Sequence, residues 1–212
     1  MRPTPLLPEE DAAAACNASG AAAHHAPSSR VQNLENWRSA PGYRGRSAVF
    51  VQLWWLVQAT LFRASPQVLY GFRRWLLRCF GAQIGKGVVI RASAQITYPW
   101  KVTIGDHSWI GDEVVLYSFA DIKIGTSSVV SQRSYLCAGT HNFRSVGFEI
   151  MSLPITIEDE VWLATDVFVA PGVTVGRGTV VGARSSVFKD LPPMVICTGS
   201  PAKPVGPRVM EK

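Results

Sequence analysis

A branched aliphatic residue returns every six positions from Ile84 onward. The repeat stops after His141, resumes at Ile157 and fades after Val187, and each of its hexads starts with Ile, Leu or Val. The fifth residue is small or β-branched in every complete hexad except the one that places Trp100 there. A period of six matches neither the 3.6-residue turn of an α-helix nor the alternation of an ordinary strand.

Six residues suffice for a short strand and a tight corner, so three hexads would close a triangular coil. The leading aliphatic residue would point inward, the fifth would point inward near a corner, and glycine at the second position, as at Gly85 and Gly105, would relieve strain at corners. One coil cannot bury its own face, so stability would come from stacked neighbours. The pattern predicts an all-β fold: a parallel β-helix over 83–191 with an excursion loop at 142–156.

Two apolar stretches precede the repeat. Residues 47–62 carry no charge, whereas residues 66–82 mix apolar side chains with arginines in a pattern typical of an amphipathic helix. They predict a helical hairpin within an N-terminal helical arm over 31–82. Residues 1–30 are rich in Ala, Pro and Ser and are predicted to be a disordered tail. Residues 192–212 are expected to form a C-terminal tail.

The arm has two interpretations. Its apolar face would pack on the β-helix or on a neighbouring subunit, or segment 47–80 would make peripheral contact with a membrane. In the second case Trp54, Trp55 and Trp75 would lie at the headgroup level and the arginines of the arm would face anionic lipid. Those arginines are Arg63, Arg73, Arg74 and Arg78. The charge-free stretch is shorter than the roughly 20 residues that span a bilayer.

Charge and cysteine content narrow the function. Residues 30–80 hold eight arginines and one acid, while the rest of the chain holds 13 basic and 14 acidic residues, so the net charge of +6 belongs to one segment. A nucleic-acid-binding domain would carry a basic patch on the folded domain, so no nucleic-acid partner is expected. The four cysteines are far apart and form no CxxC pair, which favours neither a metal knuckle nor a disulfide framework and fits a cytoplasmic location.

Several short motifs resemble one enzyme family. An Ile/Leu/Val-Gly-x-x-small-x repeat is the signature of the hexapeptide-repeat acyltransferases, which form left-handed parallel β-helices. The stretches "GTHN", "APGVTVG", "VVGARSSVFKDLPP" and "TGSPAK" are similar to the maltose, galactoside and nodulation-factor O-acetyltransferases. The arm and "YPWKVTIGDHSWIGDEVVLYS" look closest to the colanic acid biosynthesis type of exopolysaccharide acetyltransferase. The resemblance covers residues 31–208.

The resemblance implies an acetyl-CoA-dependent O-acetyltransferase that acts on a sugar hydroxyl of an exopolysaccharide or surface-glycan precursor. It also implies a cytoplasmic homotrimer and a reaction that needs no metal. If the arm binds lipid, the enzyme would act near the inner face of the membrane. The transfer needs a base that titrates near neutrality, which suits His. His141 ends a coil beside the excursion and matches the base of the family, so the excursion would wall the acceptor site. A carboxylate such as Glu149 or a backbone carbonyl would orient the ring, and Asn142 replaces an Asp that commonly follows that His.

The resemblance also assigns a coenzyme A groove between adjacent β-helices. Trp162 matches the residue that lies along the pantetheine arm. Thr165 and the backbone of Ala183 match hydrogen-bonding positions. Lys189 and Lys203 match cationic positions that face the phosphates, where a flexible ammonium suits the charge.

Two other classes remain open. A β-helical zinc carbonic anhydrase needs three histidine ligands across a subunit interface, whereas the repeat contains only His107, at an outward position, and His141. A non-enzymatic β-helix scaffold at the membrane would need neither His141 nor the pair Trp162 and Lys189.

One position of the expected coenzyme A groove differs from the family. This chain has Phe188 where the family commonly has Thr.

Overall fold

The computed structural model describes residues 30–35, 37–38 and 42–211. The predicted disordered tail lies outside the described residues, apart from Arg30. The described part is a parallel β-helix preceded by two helices. The predicted all-β fold with an N-terminal helical arm is therefore confirmed.

Three parallel sheets form the faces of the coil, and we name them A, B and C in the order in which the chain enters them. Face A consists of β1 (Gln83–Ile84), β4 (Val102–Ile104), β7 (Ile122–Ile124), β12 (Ile155–Ile157) and β15 (Thr174–Val175). Face B consists of β2 (Val89–Ile90), β5 (Trp109–Ile110), β8 (Val129–Val130), β13 (Trp162–Leu163), β16 (Val180–Val181), β18 (Val195–Gly199) and β19 (Ala202–Pro207). Face C consists of β3 (Gln95–Ile96), β6 (Val115–Tyr117), β9 (Tyr135–Cys137), β14 (Phe168–Val169) and β17 (Ser186–Val187). The other two strands, β10 (Gly139–His141) and β11 (Ile150–Ser152), form an antiparallel hairpin at the excursion.

The core of the β-helix is the stack of leading aliphatic residues. All of them are buried, from Ile84 to Val187. Several fifth positions carry serines that are fully buried, and their hydroxyls donate to carbonyl oxygens of the following coil: Ser108 to Gly125 at 2.6 Å, Ser128 to Glu158 at 2.7 Å and Ser134 to Ala164 at 3.0 Å. Each buried hydroxyl is thereby paired, which explains why a small polar residue is tolerated inside.

The glycines at the second position have a different purpose from the one expected. The left-handed backbone lies at the fourth position instead, at His107 (φ 59°), Glu113 (φ 57°) and Arg133 (φ 58°) among others. A Cβ on Gly111 would lie 2.7 Å from the backbone nitrogen of Gln132 in the next coil. The second position is therefore glycine because two backbones approach closely there, and not because the corner needs a positive φ.

The arm is a helical hairpin. Helix α1 (Ala48–Val57) begins after Ser47, whose hydroxyl accepts from the Phe50 amide at 3.3 Å, and continues as a π-helix (Gln58–Phe62). Helix α2 (Tyr70–Cys79) runs back toward the first coil, and a 3₁₀ turn (Pro99–Lys101) ends that coil.

The arm covers the open edge of the first coil. The buried indole of Trp54 donates to the carbonyl of Ile96 at 2.7 Å. Three guanidinium groups of α2 donate to other carbonyls of this edge: Arg73 to Ile90 at 2.7 Å, Arg74 to Val88 at 2.8 Å and Arg78 to Ile84 at 2.6 Å. Burial lowers the pKa of Arg73, which is fully enclosed. The arm thus pairs carbonyls that the edge strand would otherwise leave open.

These contacts correct part of the membrane hypothesis. Trp54 and Arg73 are buried and do not reach lipid headgroups, and Arg74 and Arg78 are engaged with the β-helix. No helix in the described part of the chain has the length and apolar character of a membrane span. The arm therefore acts first as a structural cap.

The C-terminal residues also differ from the expected tail. Strand β18 pairs in parallel with β16 and extends face B, and β19 folds back on β18 in antiparallel register. Cys197 of β18 is fully buried. Residues 195–207 therefore belong to the folded body because their backbone completes the last sheet.

Candidate active site

His141 is the last residue of β10, where the chain leaves face C before it enters face A. Strand β11 pairs with β10 and sets His141 opposite Ile150. The imidazole is partly buried and packs in parallel on the ring of Phe148, with 4.2 Å between ring centroids and 9° between planes. The repeat breaks after His141 because the excursion folds back over the ring and fixes it.

A backbone carbonyl orients the imidazole. Nδ1 of His141 lies 2.9 Å from the carbonyl oxygen of Phe148. This oxygen can only accept, so in the neutral ring Nδ1 carries the proton and donates it. No hydrogen bond within the described part of the chain occupies Nε2, so its lone pair is available, as the role of a general base requires.

The N-terminal segment holds the same carbonyl from the other side. The indole Nε1 of Trp37 donates to the oxygen of Phe148 at 3.2 Å, and the amide of Asn33 donates to the oxygen of Val146 at 2.8 Å. Phe148 has a left-handed φ of 49°, which is uncommon for a bulky residue. Trp37 and Phe148 were missed by sequence reasoning, because a backbone acceptor leaves no mark in the identity of a residue.

The carboxylate considered as an orienting group has another partner. Glu149 accepts from the hydroxyl of Ser145 at 3.0 Å, and this hydrogen bond lowers the pKa of the Glu149 carboxyl. The carbonyl of Phe148, rather than Glu149, accepts the hydrogen bond from Nδ1 of His141. The backbone-carbonyl alternative is the one that the geometry favours.

The residues expected along the coenzyme groove fall into two groups. Trp162 lies on face B, 47% exposed, and its indole donates to the hydroxyl of Ser131 at 3.0 Å. Thr165 follows on the same coil and accepts from the side chain of Gln132 at 2.7 Å. Ala183 is exposed one coil further on, after β16.

The two lysines are separated from each other. Lys203 lies on β19 opposite Thr198, on the edge of face B, and is exposed. Lys189 is exposed after β17, where the chain leaves face C, as His141 does two coils earlier. Within one chain, therefore, Trp162 and Lys203 lie on face B, whereas His141 and Lys189 follow face C.

A cavity of about 520 Å³ lies on face B beside the first three coils. Its lining includes Tyr70, Arg91, Trp109, Asp112, Ser131 and Gln132. Burial alone would raise the pKa of Asp112, but hydrogen bonds from Arg91 at 2.7 Å and Ser93 at 2.8 Å together lower it. Sequence reasoning missed this cavity, although the apolar residues at the sixth positions of face B were a signal.

The other histidine of the repeat lies elsewhere. His107 is exposed at a left-handed corner between faces A and B, while His141 follows face C. Among the described residues, no three His, Cys, Asp or Glu side chains are grouped to hold a metal ion. The zinc alternative therefore gains no support from the arrangement of one chain.

Known proteins share this sequence and fold. The putative colanic acid biosynthesis acetyltransferase WcaF of Escherichia coli strain K12 is 59% identical over 179 residues, which are 84% of this chain and 98% of that protein. The galactoside O-acetyltransferase of the same organism is 29% identical over 135 residues, 62% of this chain and 66% of that protein. No family model matches the chain.

A solved structure extends the likeness to three dimensions. The hexapeptide-repeat-containing acetyltransferase of Vibrio cholerae O1 biovar eltor, complexed with acetyl coenzyme A, superposes with a TM-score of 0.70 and 26% identity over 78% of this chain and 92% of that chain. The repeat, the coil and the 59% identity to WcaF over 98% of that protein agree. The chain belongs to the family of hexapeptide-repeat acetyltransferases that includes the putative colanic acid biosynthesis acetyltransferases.

Proposed function

We propose that the protein transfers an acetyl group from acetyl-CoA to a sugar hydroxyl of an exopolysaccharide or surface-glycan precursor, with His141 as the general base. The observation that carries this proposal is the fixed imidazole, whose Nδ1 is hydrogen-bonded to the Phe148 carbonyl and whose Nε2 has no hydrogen-bond partner among the described residues. The names of the relatives, an acetyltransferase of colanic acid biosynthesis and a galactoside O-acetyltransferase, support a sugar as acceptor.

The chemistry follows from that tautomer. Nε2 removes the proton of the sugar hydroxyl as its oxygen attacks the thioester carbonyl. The bond between carbonyl carbon and sulfur then breaks, and the sulfur of coenzyme A takes the proton from Nε2 and leaves as the thiol. During the charged interval the Phe148 carbonyl stabilises the imidazolium through Nδ1–H.

The active form in this proposal is a homotrimer, because one chain keeps its base and its groove residues on different faces. The outward residues of face B are apolar: Val89, Trp109, Val129, Trp162, Val180 and Ile196. Those of face A are polar: Gln83, Thr103, Lys123, Thr156 and Thr174. Face C carries a row of rings, with Tyr135 6.2 Å from Phe168 and Phe168 5.8 Å from Phe188.

The two apolar faces suit each other. A contact of face B of one copy with face C of the next is heterologous, so it can close into a ring. The resemblance to the hexapeptide-repeat acyltransferases implies that the ring has three copies. His141 and Lys189 of one copy then border the face of the next copy that carries Trp162, Thr165, Ala183 and Lys203. Acetyl-CoA would bind in the groove between them, and the cavity around Trp109 would receive the sugar.

The same proposal places the reaction in the cytoplasm, where acetyl-CoA is made. The inner face of the membrane, where lipid-linked glycan precursors are assembled, is the site that fits such an acceptor. The presence of acetyl coenzyme A in the related solved structure supports the choice of donor.

The test is the pair His141→Ala and His107→Ala, measured by release of coenzyme A thiol with lipid-linked sugars as acceptors. The first change should slow transfer by ~10²–10⁴-fold, the usual contribution of a general base, while binding of coenzyme A and the oligomeric state stay as in the wild type. The second change, at an exposed corner, should leave the rate unaltered. A near-normal kcat for His141→Ala would rule out this residue as the base.

A further inference from the structure

The outer face of α1 carries exposed apolar side chains, with the uncharged Gln52 among them. Val49 is 79% exposed, Leu53 48%, Leu56 62% and, in the π-helical extension, Leu61 57%. We call these four residues the outer ridge. Val49, Leu53 and Leu56 recur at intervals of four and three, so they share one side of the helix. On the opposite side Val51 and Trp54 are fully buried.

A helix that is apolar on both sides has two partners. The β-helix is the first partner, through the inner side. A helix that faced water would carry charged residues on its outer side, yet residues 47–62 contain none. Single exposed aliphatic residues are ordinary on protein surfaces, but a contiguous row with no charge marks a contact surface.

The charge around the outer ridge indicates the nature of the second partner. The chain has no Asp or Glu from residue 36 to residue 105. Arg46 and Arg63 flank the ridge at its two ends, and both are exposed. Neither takes part in the ion pairs that the described residues form. An apolar row between two cations that form no ion pair with a described residue, without a nearby acid in the sequence, is complementary to an anionic apolar interface.

The position of the ridge favours a flat partner. The arm closes the first coil, so its outer side points away from the β-helix along the coil axis. In the proposed trimer the three parallel coils would present three such ridges in one direction. Three contacts on one plane reinforce each other on an extended surface.

We infer that the outer ridge docks the enzyme on an anionic lipid surface, with Val49, Leu53, Leu56 and Leu61 in the interface and Arg46 and Arg63 on the headgroups. The inference rests on the proposed trimer and names the membrane contact of that assembly. It differs from the version expected from sequence, because Trp54 and Arg73 are occupied inside the cap. Docking keeps the acceptor groove beside the membrane that carries the glycan precursor.

Vesicle flotation of the full chain tests the inference. The wild type should float at low salt with phosphatidylcholine vesicles that contain phosphatidylglycerol, should release at high salt, and should not float with phosphatidylcholine alone. The double change Val49→Glu and Leu56→Glu should abolish flotation. The matched control, Val205→Glu and Val209→Glu, alters residues that are 65% and 79% exposed near the C-terminus and should float as the wild type does. Replacement of Arg46 and Arg63 by Gln should weaken binding roughly 30-fold for each copy in contact with the membrane.

Three results would overturn the inference: no flotation of the wild type at low salt, flotation that survives Val49→Glu with Leu56→Glu, or end-to-end pairs of trimers in solution that this double change separates. The third would make a second copy the partner. Thiol release is measured on every variant and separates the two proposals. Turnover of acetyl-CoA without vesicle binding contradicts this inference alone, and vesicle binding without turnover contradicts the proposed function alone.

Discussion

At the scale of single residues, the geometry of the proposed base depends on the carbonyl of Phe148. That oxygen accepts from the ring of His141 and from the indole of Trp37, while its own residue holds a left-handed φ. A left-handed backbone at a bulky residue costs about 1 kcal/mol or more in conformational energy, and it persists only where the surroundings hold it. The ring stacking and the two hydrogen bonds maintain it here.

Trp37 is therefore expected to act as a positioning residue. Trp37→Phe keeps a ring and removes the donor, and it should lower kcat roughly tenfold with little change in the KM for acetyl-CoA. Trp55→Phe is the control, since the Trp55 indole also donates to a carbonyl, that of Thr97 at 3.4 Å, far along the chain from the excursion. Nitrogen-15 NMR of the His141 ring should show a mixture of tautomers only in Trp37→Phe. A single Nδ1–H tautomer with reduced kcat would contradict the positioning role.

Asp112 gives a prediction about pH. Its pKa is lowered in the folded protein, so its ion pair with Arg91 stabilises the fold above the ordinary Asp pKa of about 3.9 and is lost as the pH falls through the lowered value. Both side chains are more than one third exposed, which limits the effect to about 0.5–1 kcal/mol. Asp112→Asn should lower the Tm at pH 7, and the difference from the wild type should vanish well below pH 4. A difference that persists in acid would contradict the assignment.

His141 could be predicted from the sequence, because the hexads stop directly after it and because a family motif matches there. Phe148 and Trp37 could not be predicted in this way. The orienting atom is a backbone oxygen, and its second donor comes from 111 positions away, so neither short-range spacing nor residue type reveals the contact.

At the scale of the elements, the coils are held at the distance that a glycine permits. Gly111→Ala would place a Cβ 2.7 Å from one backbone atom of the next coil and 3.0 Å from another. It should lower the free energy of unfolding by about 1–3 kcal/mol, as overpacking does. Gly206→Ala is the control because a Cβ there meets nothing within 4 Å. Urea unfolding of both variants measures the difference, and equal stabilities would show that the coils yield easily.

The elements were predictable to different degrees. The leading Ile, Leu or Val of each hexad predicts a strand, because the core of the β-helix needs an aliphatic side chain at each of these positions. The arm was predictable as two helices but not as a cap. The amphipathic pattern around Arg73 shows how the charges are spaced on α2. It does not show that the Arg73 guanidinium donates to the carbonyl of Ile90, because this carbonyl comes within reach only when the coil has formed.

At the scale of the whole molecule, the polarity of the three faces governs assembly. Replacing Trp109 and Val180 by Glu charges face B, and it should convert the proposed trimer into monomers that no longer turn over acetyl-CoA. Replacing Thr103 and Thr174 by Glu charges face A in the neighbouring strands and should leave the trimer intact. Light scattering and thiol release report both properties. A monomer that keeps its turnover would refute a site shared between copies.

The structure of a single coil could be predicted from the sequence better than the assembly of several copies. Sixth positions such as Trp109, Val129 and Trp162 carry the apolar row of face B, and this signal is visible in the hexads. It does not say which surface covers the row, because an outward apolar residue is equally compatible with a second copy and with a bound coenzyme.

The cap on the first coil also has a bearing on solubility. A β-helix resembles a short length of cross-β fibre, and its bare end offers a template on which the coils of another molecule would add without limit. Trp54, Arg73 and Arg78 occupy the acceptors of that template. The arm thus covers this end, and a chain without it is expected to expose the edge of the first coil to such addition.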